Sequence, residues 1–339
     1  MHCELVIPGL LSADAGLRLP ALELLLARGR RAHTEPEQLE GWLLEAFGLP
    51  KTPLSAGALT LLGQGGDPGA DRWVRADPVH LQLMRDGVVF VPGTAFGIRP
   101  DEAQVLVQAL NAHFAGRMEI QALEPARWSA RLARELEATL DSPLEMAGRR
   151  VAPGSKADAL LNEVQMVLHE HPVNEAREAR GEPALNSVWL WGAGRAPDFA
   201  EADEKAKWQS VTADEPIALG LARGAQVRAR GLAASAEAWL DRAPEEGRHL
   251  VVLDALRLPL AVSDAAAFAS RLEGLEAAWF APLLAALRAG RIGMTSVHVP
   301  DAGVSFETIG GDLRRIWRRA KPLTKWMPSP PAAHRTMAR

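Results

Sequence analysis

The feature that most constrains this chain is its repeated exchange of short apolar runs for longer stretches with helical spacing. Residues 4–7 (Glu-Leu-Val-Ile) read as a strand stopped by Pro8-Gly9. Pro20 opens a helical stretch closed by Gly29. A second helix is expected from about Pro36, with Thr34 as N-cap and Glu37 in the capping-box place. Further on, residues 155–169 read as helix, 186–191 as an apolar strand and 249–253 as a buried strand. A long amphipathic helix over 264–288, a strand over 292–299 and a helix near 312–319 follow. Strands that alternate with long helices imply an α/β fold, with a mostly parallel sheet and helices on both faces.

The middle of the chain breaks this rhythm. Residues 63–71 form a Gly- and Asp-rich loop, and then apolar runs at 73–83 and 88–91 flank Arg85-Asp86-Gly87, a hairpin signal. A helix over 101–115 and a strand over 118–123 complete an α+β block. The expected organisation is therefore a core of residues 1–71 and 151–326, an inserted α+β unit at 72–150, and a disordered Pro-rich tail at 327–339. The stripe Leu272, Leu275, Trp279, Leu283, Leu287 has helical spacing and reads as core.

Composition excludes several classes. A net charge of −4 argues against a nucleic-acid footprint, and no apolar run approaches the length of a membrane span. A single cysteine, Cys3, rules out an intramolecular disulfide and multi-Cys zinc. The start, Met-His-Cys-Glu, carries no leader pattern, so a cytoplasmic protein is expected.

The run His171-Pro172-Val173-Asn174-Glu175-Ala176-Arg177, then Gly181, Pro183, Asn186 and Trp191-Gly192-Ala193-Gly194, resembles archaeal-type cofactor-independent phosphoglycerate mutases of the alkaline-phosphatase superfamily. Residue types and spacing agree over about 24 positions, except that Trp191 stands where those mutases usually have Arg. The segment 19–29 is similar to a Thr-Pro-x-Leu segment of the superfamily. The stretch from Pro53 to Pro68 resembles its nucleophile segment, one residue shorter, and Ser55 matches the nucleophile. Residues 73–81 and 272–276 look like the bacterial RpfE-type regulatory proteins, relatives of these mutases.

The resemblance implies an alkaline-phosphatase-like core with a cap, and two divalent cations that activate Ser55 and hold phosphoryl oxygens. The acidic anchors are incomplete. Where the superfamily carries Asp-Gly after the first strand, this chain has Pro8-Gly9. Asp254 and Asp264 lack the following His, and only His298 stands near the last expected pair, with Asp301 beyond it; Asp14 could add one oxygen. Expected instead is a metal-poor protein without a cofactor that binds a small phosphorylated or anionic metabolite in regulation. Two alternatives stay open: an active mutase or phosphatase using Mn²⁺ or Mg²⁺, and an interaction module with a vestigial cleft.

For the ligand, His171, Asn174 and Arg177 are the candidate anion clamp, since Arg makes bidentate contacts to phosphate. The plain alternative is a capped turn with Arg177 paired to a glutamate. Gly192, Gly194 and Arg195 after an apolar strand could present N–H groups to phosphate, or simply make a tight turn. Arg75 and His80 are candidates for a cleft wall, although Arg75 and Asp77 share a strand face and can pair. The cluster Arg314, Arg315, Arg318 and Arg319 reads as a solvated basic face.

Overall fold

The computed structural model describes residues 1–85, 87–134, 141–149, 158–201, 208–242 and 246–328. In chain order the elements begin β1 (His2–Val6), α1 (Pro20–Arg28), β2 (Arg30–His33), α2 (Leu39–Ala46) and α3 (Ala56–Gly63). There follow β3 (Trp73–Met84), β4 (Gly87–Pro92), α4 (Pro100–His113), β5 (Met118–Glu124), β6 (Arg127–Leu132), α5 (Pro143–Met146), α6 (Asp158–His169) and α7 (Pro172–Ala179). The remainder is β7 (Ser187–Gly194), β8 (Trp208–Thr212), α8 (Pro216–Gly224), β9 (Arg228–Arg230), α9 (Ala236–Leu240), β10 (Arg248–Val252), α10 (Arg257–Ala261), α11 (Ala265–Leu275), α12 (Ala281–Arg288), β11 (Met294–Val299) and β12 (Val304–Ile309). No helix among the described residues is long and apolar enough to cross a membrane.

The chain divides into two compact units. The first holds residues 1–39, 233–260 and 264–339, the second 40–232 and 261–263. The expected border at 71/72 falls inside unit two, and the expected border at 150/151 and the tail from 329 lie outside the described residues.

Unit one is α/β. β1 lies parallel to both β10 and β11, and β12 and β2 extend the edge in antiparallel fashion. Cys3 and Leu5 share a face with Val297 and Phe306, whereas Glu4 shares the other with Ser296 and Glu307. The apolar set is fully buried, and burial pushes the Cys3 thiol up, so it is not a reactive site. The long helix expected over 264–288 is α11 and α12 joined by a π-helical turn, Glu276–Phe280. That extra residue per turn keeps Leu275, Trp279 and Leu283 on one buried stripe at four-residue steps.

Three local expectations are corrected. Residues 30–33 form an edge strand. The chain after it is tied by Thr34 N–H to Gly303 O (2.9 Å) and Glu37 N–H to Pro300 O (3.0 Å), so the next helix starts at Leu39 rather than Pro36. Residues 312–319 are not a helix: a short 3₁₀ segment, Gly310–Arg314, ends there. The strand expected at 186–191 does not join a parallel sheet but runs antiparallel to β3 in unit two.

Unit two is built on β3, which pairs antiparallel with β7, β6 and β4. Pro78 sits inside this central strand, because β6 pairs with residues 73–75 and β4 with 79–84 and neither needs an N–H from residue 78. The antiparallel pairing of β3 and β4 bears out the hairpin, whose Asp86 lies outside the described residues. One face of the sheet carries an apolar core shared with α4 and α6, centred on Trp128, Phe114 and Leu190. A short parallel pair, β8 and β9, also belongs to this unit.

Candidate functional site

Ser55 is the N-cap residue of α3. Its side chain caps nothing and makes no hydrogen bond among the described residues, although it is only 7% exposed. The first turn behind it, Ala56 to Ala58, has N–H groups with no intrahelical acceptor, the usual condition of a helix start. The end of β7 presses directly on this point. Gly192 adopts φ +59°, and a Cβ there would overlap Ala56 Cβ; a Cβ on Gly194 would overlap Ser55 Oγ. The register of β3 against β7 slips at this position, so the two glycines form a bulge laid on the start of α3. Their smallness is therefore accounted for by close packing on Ser55 and Ala56. Arg195 donates to Ala70 O (2.7 Å).

Beneath α3 lies a buried polar network. Arg75 pairs with Asp77 and donates to Thr60 Oγ1 (2.8 Å), and Trp191 Nε1 donates to Asp77 Oδ2 (2.7 Å). The Arg75 guanidinium also stacks over the Trp191 ring at 5.3 Å. Trp191 thus completes the valences of Asp77 in a place with one cation already. Arg75 is a wall of the fold rather than of a cleft. His80 is half-buried, with Nδ1 at 2.9 Å from Ala184 O.

The His-Pro run forms a clasp. His171 Nδ1 accepts the Val173 N–H (3.2 Å) and caps α7, with Pro172 at the first helical position. Burial holds the His171 ring below its usual pKa, which preserves that acceptor. Asn174 bonds Leu168 O, Leu185 O and Leu185 N–H. Arg177 is 0% exposed, and it donates to Glu102 Oε2 (2.5 Å), Pro183 O (2.8 Å) and Gly97 O (3.0 Å). Arg180 holds the other oxygen of Glu102 at 2.6 Å. The three residues expected to clamp an anion here clamp the protein. Glu102 is the partner that local pattern could not reveal, lying 75 residues away.

In unit one the candidate metal donors meet other tasks. Asp301 accepts from the Gly9 N–H (2.9 Å) and from Ser12 Oγ (2.5 Å), closing the loop where Pro8 stands. Asp264 caps α11 through the Ala267 N–H (2.9 Å), and Asp14 closes its own turn on the Gly16 N–H. His298 Nε2 lies 3.2 Å from Glu4, and Asp254 follows β10 with a partner of its own. Among the described residues no three His, Cys, Asp or Glu side chains converge to hold an ion. As arranged, the donors at these strand ends do not fit a pair of divalent cations, which need several free carboxylate or imidazole ligands.

Glu4 itself is 3% exposed on the polar face of the sheet. Burial opposes its charge, but hydrogen bonds from His298 and Arg248 prevail and hold its carboxyl at about 2. His2 lies 3.3 Å from Glu4 and 2.8 Å from Ser296 Oγ, and burial lowers its pKa against the pull of Glu4.

No protein-family model matches the chain. It is similar to a probable 2,3-bisphosphoglycerate-independent phosphoglycerate mutase of Geobacter sulfurreducens, with 27% identity over 212 residues, covering 56% of this chain and 52% of that protein. The mutase of Methanosarcina mazei is 31% identical over 209 residues, 54% of this chain and 50% of that one. The chain thus spans about half the length of the curated relatives it matches. Among solved structures, the PH0037 protein from Pyrococcus horikoshii aligns with a TM-score of 0.55 at 15% identity, over 91% of this chain and 87% of that one, a likeness of fold.

Proposed function

We propose that this phosphoglycerate-mutase-like chain has lost two-metal phosphoryl transfer and binds a small phosphorylated or otherwise anionic metabolite, as a cytoplasmic regulatory protein of the RpfE type. One observation carries the reading. Asp301, the last acidic residue at the carboxyl end of the unit-one strands, is committed twice to the Pro8-Gly9 loop, where the first metal anchor would stand. A phosphoryl-transfer centre without acidic ligands cannot hold the cations that neutralise the charge on the transferred group. The anion itself is assigned to the start of α3. There the Ser55 hydroxyl, without a partner among the described residues, offers a donor at the positive end of the helix dipole.

Calorimetry with 3-phosphoglycerate tests the proposal. Saturable binding is expected, weakened roughly tenfold by Ser55→Ala, the worth of one hydrogen bond to a charged group. The absence of heat with 3-phosphoglycerate and with other phosphorylated three-carbon acids would sink it. One observation favours a second reading, an active mutase: Ser55 Oγ is unengaged at a helix start, as a nucleophile must be. That reading requires Mn²⁺-dependent conversion of 3- to 2-phosphoglycerate, eliminated by Ser55→Ala.

A further inference from the structure

Unit one carries a cavity of about 1090 Å³, lined by none of the residues that the sequence marked as a ligand site. It is bounded by the end of α1, the edge strand β2 and the segment 315–326 that follows β12. Six cations line it: Arg30, Arg31, Arg315, Arg318, Arg319 and Lys321, against two carboxylates, Glu307 and Asp312. The carboxylates are already matched, since Arg30 pairs with Glu307 and Arg315 with Asp312 at 2.9 Å. Among the described residues that leaves Arg31, Arg318, Arg319 and Lys321 without an anionic partner. Arg318 donates one nitrogen to Gly29 O, and Arg319 makes no hydrogen bond among the described residues.

The aromatic side of the cavity is as specific as its charge. Trp326 is flanked by Arg31 at 6.0 Å and Lys321 at 5.8 Å, and its indole N–H is buried with no acceptor among the described residues. Trp317 is 74% exposed, a large apolar ring with no aromatic or cationic group stacked on it among the described residues. A buried indole donor with no acceptor is costly, and an open indole face beside unmatched guanidinium groups is a platform for a planar ring. Guanidinium forks bind phosphate oxygens in pairs. The volume lies just above the usual range for a small-molecule site.

We propose that this cavity binds a nucleotide: a diphosphate held by Arg31, Arg318, Arg319 and Lys321, its base stacked on Trp317. It shares no residue with the anion site at Ser55 and stands or falls independently of it. A small ligand is favoured over a nucleic-acid strand because the whole chain is acidic, with a net charge of −4.

The test is calorimetric titration of the full chain with ADP at low salt, alongside inorganic pyrophosphate and a single-stranded oligouridylate. Saturable ADP binding is expected, weakened at least tenfold by Arg319→Ala and about tenfold by Trp317→Ala. Both side chains are exposed, so neither change should disturb folding, and an unchanged melting temperature checks this. Pyrophosphate should bind at least fivefold more weakly than ADP. The proposal is overturned by no ADP binding at millimolar concentration, by ADP binding indifferent to Arg319→Ala, by pyrophosphate binding as tightly as ADP, or by an oligonucleotide binding tenfold tighter than ADP.

Discussion

Arg177→Ala separates a structural clasp from a ligand clamp. The guanidinium is fully buried and holds Glu102 and two backbone carbonyls, those of Gly97 and Pro183. Its removal leaves a buried carboxylate short of its cation, a change that costs about 3–5 kcal/mol in comparable pairs. Arg180 still holds the second Glu102 oxygen, so a value near the lower end, about 3 kcal/mol, is expected. Urea unfolding followed by Trp fluorescence would read this as a midpoint lowered by 1 M or more, given a slope of about 1–3 kcal/mol per molar. Placing Glu102→Gln on the Arg177→Ala background should return at least about 1 kcal/mol, because the stranded charge is gone. The affinity of the folded fraction for 3-phosphoglycerate should be unchanged. A variant of wild-type stability that no longer binds the phosphorylated acid would refute the reasoning and restore Arg177 as a ligand residue.

Three further outcomes are expected. Gly192→Ala sets a side chain at φ +59° against Ala56 and should cost about 2–4 kcal/mol by thermal or urea melts; a change below 0.5 kcal/mol would show that the bulge is not packed on α3. Gly220→Ala should be comparably damaging, because a Cβ there would overlap the Leu59 carbonyl where α8 crosses α3. Glu4 is held at about 2 against an ordinary 4.5, so its stabilisation is present above pH 4.5 and is lost as pH falls toward 2. That contribution is on the order of 3 kcal/mol. Glu4→Gln should flatten the stability profile between pH 5 and 2.5, and an unaltered slope would contradict the assignment.

Much of the parallel framework was legible in the sequence, because β1, β10 and β11 are short apolar runs between helices. The edge escaped for identifiable reasons. β2 reads Arg-Arg-Ala-His, all exposed, and edge strands need no apolar face. β12, Val-Ser-Phe-Glu-Thr-Ile, does alternate, and its period of two was the signal to use. Pro20 at the head of α1 and the buried Leu272-to-Leu287 stripe follow directly from local pattern. The site was harder to read. That His171, Asn174 and Arg177 act together was visible in their spacing, but what they hold was not, since Glu102 and Leu185 reach them only through the tertiary fold. The commitment of Asp301 to Gly9 and Ser12 is likewise a contact across 292 and 289 positions.

Whether the strand ends of unit one seat catalytic cations is read by titrating the metal-stripped protein with Mn²⁺ and following free ion by electron paramagnetic resonance. The account predicts no site tighter than about millimolar, in keeping with carboxylates already bonded within the protein. Two equivalents bound at micromolar Mn²⁺, reduced to fewer by Asp301→Ala, would contradict it.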